Sequence, residues 1–413
     1  MRKVIVFILS LFFYSAFSQS TNQFHSYAFN ASKKINTSQT NSFILKTHFA
    51  SIGDTTVPEK RNLKERLDKF NEFMQWYLKY FPFPYASFSN ETNILVGISK
   101  FNAFTLGKHH VIDSITQPSS ASAFGYFTLN NQYKCVLETN LMFHKNKSQL
   151  KVTLGYTDYP MNFYGIGNYT SLDSQTTIVT TNYQINTYYL VKTYKKIYIG
   201  PSLDYYDFQK VQISGTPEEV ERFKDETISG LGRQTGIGLK LLMEGRDNRL
   251  NAKHGLFTDM SYQLYRKKYG SDFNYDFFMA DIRYYTPVYK RVVLAMQAHL
   301  ESKVGDVPVQ SLSMLGGDYT MRGTYRGRYR DNVSLDSQTE FRFPIYWIIG
   351  GVIFTGVGQV APTYEQLSVR NTHFTYGAGL RLQMDSAHDV NLRFDYGRSN
   401  DESMFIVNIS EAF

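Results

Sequence analysis

The chain has 413 residues, a formal net charge of +8 and a single cysteine, Cys135. That cysteine excludes an internal disulfide, so the fold must rest on strand pairing or a large core. Aromatics make up 16% of the residues, with 32 Tyr, 32 Phe and 2 Trp. Mean hydropathy is mildly polar at −0.34, and after the N-terminus no run approaches the roughly twenty apolar residues of a transmembrane helix. This composition suits an outer-membrane barrel and equally a secreted, Tyr-rich β-protein.

Residues 1–18 read as a secretory signal peptide. Arg2 and Lys3 give a basic start, Val4 to Tyr14 an apolar run too short to cross a bilayer, and Ala16 and Ser18 the small residues of a cleavage site. Export excludes nucleic acid as a partner of the positive charge. It leaves lipid head groups, including a lipopolysaccharide layer. Residues 19–57 are rich in Ser, Thr, Asn and Gln and read as a polar periplasmic linker.

Residues 58–83 are predicted to form one amphipathic helix. Leu63, Leu67, Phe70, Met74 and Tyr77 fall at helical spacing, opposite Lys64, Glu65, Asp68 and Glu72. Pro58 starts it and Pro82 stops it. It could pack beneath a larger domain, lie at the inner leaflet, or dock an envelope partner through residues 58–80.

From Asn93 the period changes to two. In NLRFDYGRS, Leu392, Phe394 and Tyr396 share one face, and Asn391, Arg393, Asp395 and Gly397 the other. RQTGIGLKLLM and HFTYGAGLRLQM alternate the same way. The polar faces carry charges and glycines, which suits a wide wet lumen. Strands are expected to begin near residues 93, 121, 133, 148, 174, 196, 232, 255, 273, 290, 334, 348, 374, 388 and 403. Bacterial single-chain barrels use an even number of strands, so about sixteen are expected, with one escaping the pattern. The fold class is therefore all-β, a transmembrane antiparallel β-barrel over 84–413 with a short N-terminal periplasmic helix.

The segment LGGDYTMRGTYRGRYRDN (315–332) has neither period. Long loops without secondary structure inside a domain are usually functional or disordered. The chain ends in MFIVNISEAF, where Phe405, Val407, Ile409 and Phe413 share one parity, as in the C-terminal recognition signal of outer-membrane barrels; Glu411 departs from that pattern.

Together these pieces resemble the C-terminal barrel of the BamA/TamA outer-membrane assembly superfamily, the bacterial surface antigen family. The motifs are Gly316-Gly317-Asp318 followed by Arg322-Gly323, with Tyr325 as a displaced aromatic after Thr324; Arg246-Asp247-Asn248 with Gly255; FYGIGN from Phe163; the entry segment from Pro84 to Gly97; and the final strands. The resemblance covers about 84–413. It implies that the loop folds back into the lumen and that Arg322 pairs with an acidic residue of the inner wall. A guanidinium in a partly desolvated lumen needs a carboxylate, and Gly316, Gly317 and Gly323 permit tight bends. By parity with Phe341 and Phe343, Glu340 faces inward and is the first choice of partner, with Asp395 second. A second acidic family position falls on Thr355 here. The bland alternative is that Arg322 is a solvated loop charge.

The residues between Ser18 and Pro84 leave no room for a POTRA module beside the linker, so a short member is expected. Three functional classes remain. The first is a barrel aiding insertion or transport of proteins or lipids, which would take unfolded outer-membrane proteins at a weak seam. The second is a structural or pore-forming subunit of an envelope complex. The third, an enzyme, is disfavoured: there is no GxSxG, no HExxH and no Cys–His pairing of recognisable spacing. Catalytic residues, cofactors and metals are expected to be none.

Overall fold

Period-two alternation becomes a ring of long antiparallel strands in the computed structural model, which describes residues 81–89, 93–104, 106, 116–117, 119–214, 218, 230–346, 348–385, 389–409 and 411–413. The strands are β1 (Phe83–Ser89), β2 (Asn93–Phe104), β3 (Ser119–Thr128), β4 (Tyr133–Met142), β5 (Ser148–Phe163), β6 (Thr176–Tyr194), β7 (Ile197–Ser214), β8 (Gly232–Glu244) and β9 (Gly255–Tyr265). They continue with β10 (Tyr275–Tyr289), β11 (Val292–Gly305), β12 (Ser313–Leu315), β13 (Tyr329–Asp331), β14 (Val333–Tyr346), β15 (Ile349–Ala361), β16 (His373–Asp385), β17 (Val390–Arg398) and β18 (Ser403–Ile409). Sixteen of them follow one another round the ring in chain order, while β12 and β13 form a separate two-stranded ribbon in the connection from β11 to β14.

The fifteen strand starts expected from the sequence lie within two residues of those observed. The strand that escaped is β1. Its sequence, FPYASFS, is only seven residues long and carries Pro84, which cannot donate to a ladder. The helix expected over 58–83 therefore cannot include Phe83, and the barrel begins there rather than at Pro84. The first strand of the seam is β1, not the segment from Asn93. The signal peptide (1–18), the linker (19–57) and the helix up to residue 80 lie outside the described residues.

The two faces of the sheet are inverted relative to a soluble sandwich. Leu239 is 62% exposed and Leu380 54%. On β14, Ser334, Asp336, Gln338, Glu340 and Arg342 are all buried, whereas Leu335 and Phe341 between them are exposed. Apolar outside and polar inside is the order a barrel adopts when its outer face meets lipid.

Closure is uneven. β5 and β6 pair from Ser148 opposite Val191 to Phe163 opposite Thr176. Between β1 and β18 the described register holds only Phe88 opposite Val407, next to a ring contact between Phe88 and Phe405 at 6.4 Å. Because the strand count is even, β1 begins and β18 ends at the same end of the barrel. The connection between β11 and β14 leaves from the opposite end.

Directly opposite strand residues lie within reach of a disulfide. In a Cys135→Ser background, Phe88→Cys with Val407→Cys should therefore cross-link within one chain under mild oxidation, seen as a reducible shift in gel mobility. If oxidation gave only dimers or no product, β1 would not be the partner of β18.

Candidate functional site

The connection between β11 and β14 fills part of the lumen. The ribbon of β12 and β13 pairs Ser313 with Asp331 and Leu315 with Tyr329, and the thirteen residues between them, 316–328, turn back toward the inner wall. Gly316 and Gly317 have positive φ of 95° and 124° where the turn begins. At the tip, Gly323 has φ 115°, and a Cβ there would sit 2.7 Å from the Arg398 backbone nitrogen. A Cβ on Gly397 of β17 would in turn meet the Gly323 nitrogen at 2.8 Å. Loop and wall both need glycine at this crossing, because backbone lies directly on backbone. Beside it, Met321 is buried with Leu315, Tyr329 and Val360.

Arg322 is fully buried. Its Nη1 donates to Asp395 Oδ2 at 2.7 Å, its Nη2 donates to Glu340, and its guanidinium lies over the Phe354 ring at 3.9 Å. The expected first and second partners are thus engaged together, one by each terminal nitrogen. The position taken for the family's second acid is corrected: Thr355 faces outward, and the inward residue at that level is Phe354.

The pairing continues beyond what the sequence had joined. Glu340 also binds Arg342 at 2.5 Å, and Asp395 binds Arg381 at 2.5 Å. Arg381 reaches Glu411 at 2.7 Å, and Arg342 approaches the same carboxylate at 4.0 Å. The result is a closed ring of six alternating charges: Arg322, Glu340, Arg342, Glu411, Arg381 and Asp395. A lone buried ion costs several kcal/mol, and pairing with good geometry offsets this. Here each charge touches two of opposite sign. Arg393 adds a contact to Asp395 at 3.4 Å, and its Nη1 donates to the Asp318 carbonyl at 3.2 Å. Burial pushes the Glu411 carboxyl up, but Arg381 and Arg342 outweigh it and hold it below the ordinary glutamate value.

Glu411 also explains the end of the chain. Phe405 faces outward and Val407 lies opposite Phe88. β18 ends at Ile409. Phe413 does not continue that parity: it is buried in the lumen with Ala252, Tyr285 and Ala295, and its carbonyl accepts from Arg342 Nη2 at 2.9 Å. A carboxylate on the lipid face would be costly. The chain instead turns inward after β18, carrying Glu411 to the lumen arginines. The one charge that broke the apolar alternation in the sequence was the signal for this turn.

Two other motifs hold the ends of this assembly. The turn after β8 forms its floor: Arg246 makes two bonds to Glu244 at 2.9 and 2.8 Å and stacks on Phe257. Asp247 Oδ1 accepts from the Lys253 and His254 amides, and the Ala252 carbonyl accepts from Arg342. FYGIGN secures the other end. The Gly167 amide donates to the Arg330 carbonyl at 2.8 Å, Arg330 returns a bond to the Asn162 carbonyl at 3.0 Å, and Arg328 donates to the Thr170 carbonyl at 2.6 Å. These two arginines are met by carbonyls and by the rings of Phe163, Tyr164 and Tyr329. Tyr325 donates its amide to Glu402 at 3.0 Å, and its hydroxyl accepts from the Asn162 amide at 3.2 Å. Beside the loop lies a cavity of about 820 Å³ lined by Glu138, Asp204, Tyr206, Glu301 and Asp318.

Removing one partner of a buried pair costs about 3–5 kcal/mol. Arg322→Ala should therefore release the loop, giving faster protease cleavage within 316–328 and loss of the heat-resistant compact band on gels. Unchanged cleavage and mobility would place Arg322 in solvent. Glu411→Gln should loosen the tail without cutting the loop free. Because the folded Glu411 carboxyl sits low, its contribution is present at neutral pH and is lost as pH falls through that low value. Tail protection in the native protein should weaken on acidification, and the Gln variant should show less of this dependence.

Comparison with known proteins places this geometry. Residues 120–413 match the Omp85 superfamily domain. The fold is similar to that of BamA from Haemophilus ducreyi lacking POTRA domains 1–3, with TM-score 0.54 and 14% identity over 79% of this chain and 69% of that one. It is also similar to CdiB from Acinetobacter baumannii, with TM-score 0.51 and 12% identity over 79% of this chain and 59% of that one. No curated protein matches the chain. A domain match over most of the chain, with a lumen loop anchored by its arginine, makes this protein a member of the Omp85 superfamily.

Proposed function

We propose that this barrel aids the insertion or transport of proteins or lipids at the outer membrane, using the seam between β1 and β18 as its working edge. Omp85 barrels reside in the bacterial outer membrane, and members such as BamA and CdiB insert or secrete proteins. The observation that carries the reading is the thin closure, a single described pair at Phe88 and Val407 in a ring otherwise laced along whole strands. Pro84 of β1 cannot donate to a ladder, and a strand edge that parts from its neighbour is a template for an incoming strand. Candidate clients are unfolded outer-membrane proteins or membrane lipid, lipopolysaccharide included, with residues 58–80 available to an envelope partner. No step requires catalysis.

A second reading, a structural or pore-forming subunit without insertase activity, is favoured by the braced interior. The loop and the six-charge ring fix one side of the lumen to the inner wall, which suits a rigid scaffold.

Photo-crosslinking residues at Ala86 and Phe88 on β1 and at Phe405 and Val407 on β18 separate the two in living cells. Many unfinished barrel proteins captured at the seam, and capture abolished by the Phe88→Cys/Val407→Cys disulfide, would support the insertase. One stoichiometric partner, with function indifferent to the disulfide, would support the subunit.

A further inference from the structure

The end of the barrel at which β18 terminates carries a cluster of lysines that the lumen site does not use. The turn between β4 and β5 presents Lys145 and Lys147, and the hairpin between β6 and β7 presents Lys192, Lys195 and Lys196; all five are exposed. The two turns are neighbours: the Lys192 amide donates to the Lys147 carbonyl at 2.8 Å, and the Tyr198 hydroxyl donates to the Asn146 carbonyl at 3.1 Å. Among the described residues no carboxylate pairs with any of the five. The adjacent acid, Glu244, gives its amide to the Lys196 carbonyl, but its carboxylate is occupied by Arg246 and Arg249.

Exposed tyrosines mark the depth of this cluster. Tyr194, Tyr289 and Tyr346 all lie at this end of the barrel and are 61%, 64% and 74% exposed. Tyrosine rings prefer the boundary between hydrocarbon and head groups. Lys195 follows Tyr194, the last residue of β6, and its Nζ lies 5.0 Å from that ring's centroid, so its ammonium sits at the same boundary. Clustered juxtamembrane lysines attract anionic lipid, an attraction that decays within a Debye length. The opposite rim is mixed in charge. There Arg233 contacts Asp272 and Arg266 contacts Asp276.

We propose that Lys145, Lys147, Lys192, Lys195 and Lys196 form a binding surface for the phosphate groups of anionic phospholipids in the leaflet facing the end where β18 terminates. This rests on the membrane-barrel reading and adds a lipid class and a leaflet to it. A compact ammonium is a point-charge phosphate binder that needs no fixed geometry, which suits head groups that exchange. Holding one lipid class beside β4–β7 would also fix the depth of that part of the barrel wall.

The test is native mass spectrometry of the full chain in detergent, offered equal phosphatidylglycerol and phosphatidylcholine, with lipid A as a separate arm. The wild type should retain phosphatidylglycerol over phosphatidylcholine, and this preference should fall as salt rises. The variant K145Q/K147Q/K192Q/K195Q/K196Q should lose at least about tenfold of that retention, while K267Q/K268Q on the opposite rim should keep it. Heat-shifted gel mobility reports folding, and K145Q/K147Q and K192Q/K196Q serve separately if the fivefold variant does not fold. Equal phosphatidylglycerol retention by folded variants, or no preference in the wild type, would overturn the proposal. So would a wild type whose lysine-dependent ligand is lipid A alone. A wild type that never inserts into vesicles would instead remove the membrane reading beneath it.

Discussion

The lumen of this barrel depends on a ring of six alternating buried charges. Arg322 is delivered by the folded-in loop, Glu340 and Arg342 by β14, Arg381 by β16, Asp395 by β17, and Glu411 by the tail after β18. Each member sits where an unpaired charge would be very costly. The ring therefore specifies an arrangement more than it adds net stability: every alternative position of loop or tail strands an ion. Long-range order across several strands and a thirteen-residue loop is thereby made to depend on a few guanidinium–carboxylate pairs.

This constraint couples two ends of the structure that are distant in sequence. The loop tip lies against glycines of the wall, with Gly323 on Gly397, and the tail lies on the floor made by the turn after β8. Both meet at the same carboxylates and arginines. β18 is the strand that closes weakly on β1, and it leads directly into Glu411. The ring thus anchors one lip of the seam from inside the barrel.

Much of this was legible in the sequence because a strand has a strict period of two. Once Phe341 and Phe343 were placed outward, Glu340 and Arg342 had to face inward, and the same rule set Asp395 and Arg381. The glycines of the loop announced its sharp path. What remained hidden needed register or closure. That Arg322 takes Glu340 and Asp395 together depends on how β14 and β17 are offset across two intervening strands. Phe354, rather than Thr355, lies under the guanidinium because β15 turns Val352 and Phe354 inward and Ile353 and Thr355 outward. β1 was hidden because a seven-residue edge strand with Pro84 has no alternation to read. The inward course of Phe413 follows from Glu411, whose charge overrides the apolar parity of the residues before it.

The most direct test of the ring's central role is amide hydrogen exchange in the folded barrel, comparing the native chain with Arg322→Ala along β17, β18 and residues 411–413. Releasing the loop also frees Asn408 of β18, whose Nδ2 donates to the Tyr319 hydroxyl at 3.0 Å, so the tail at residues 411–413 is the part that reads transmission through the shared carboxylates. The account predicts faster exchange in β18 and the tail while the β5–β6 ladder stays protected. Exchange that rose only within the loop and β18, with the tail unchanged, would contradict it.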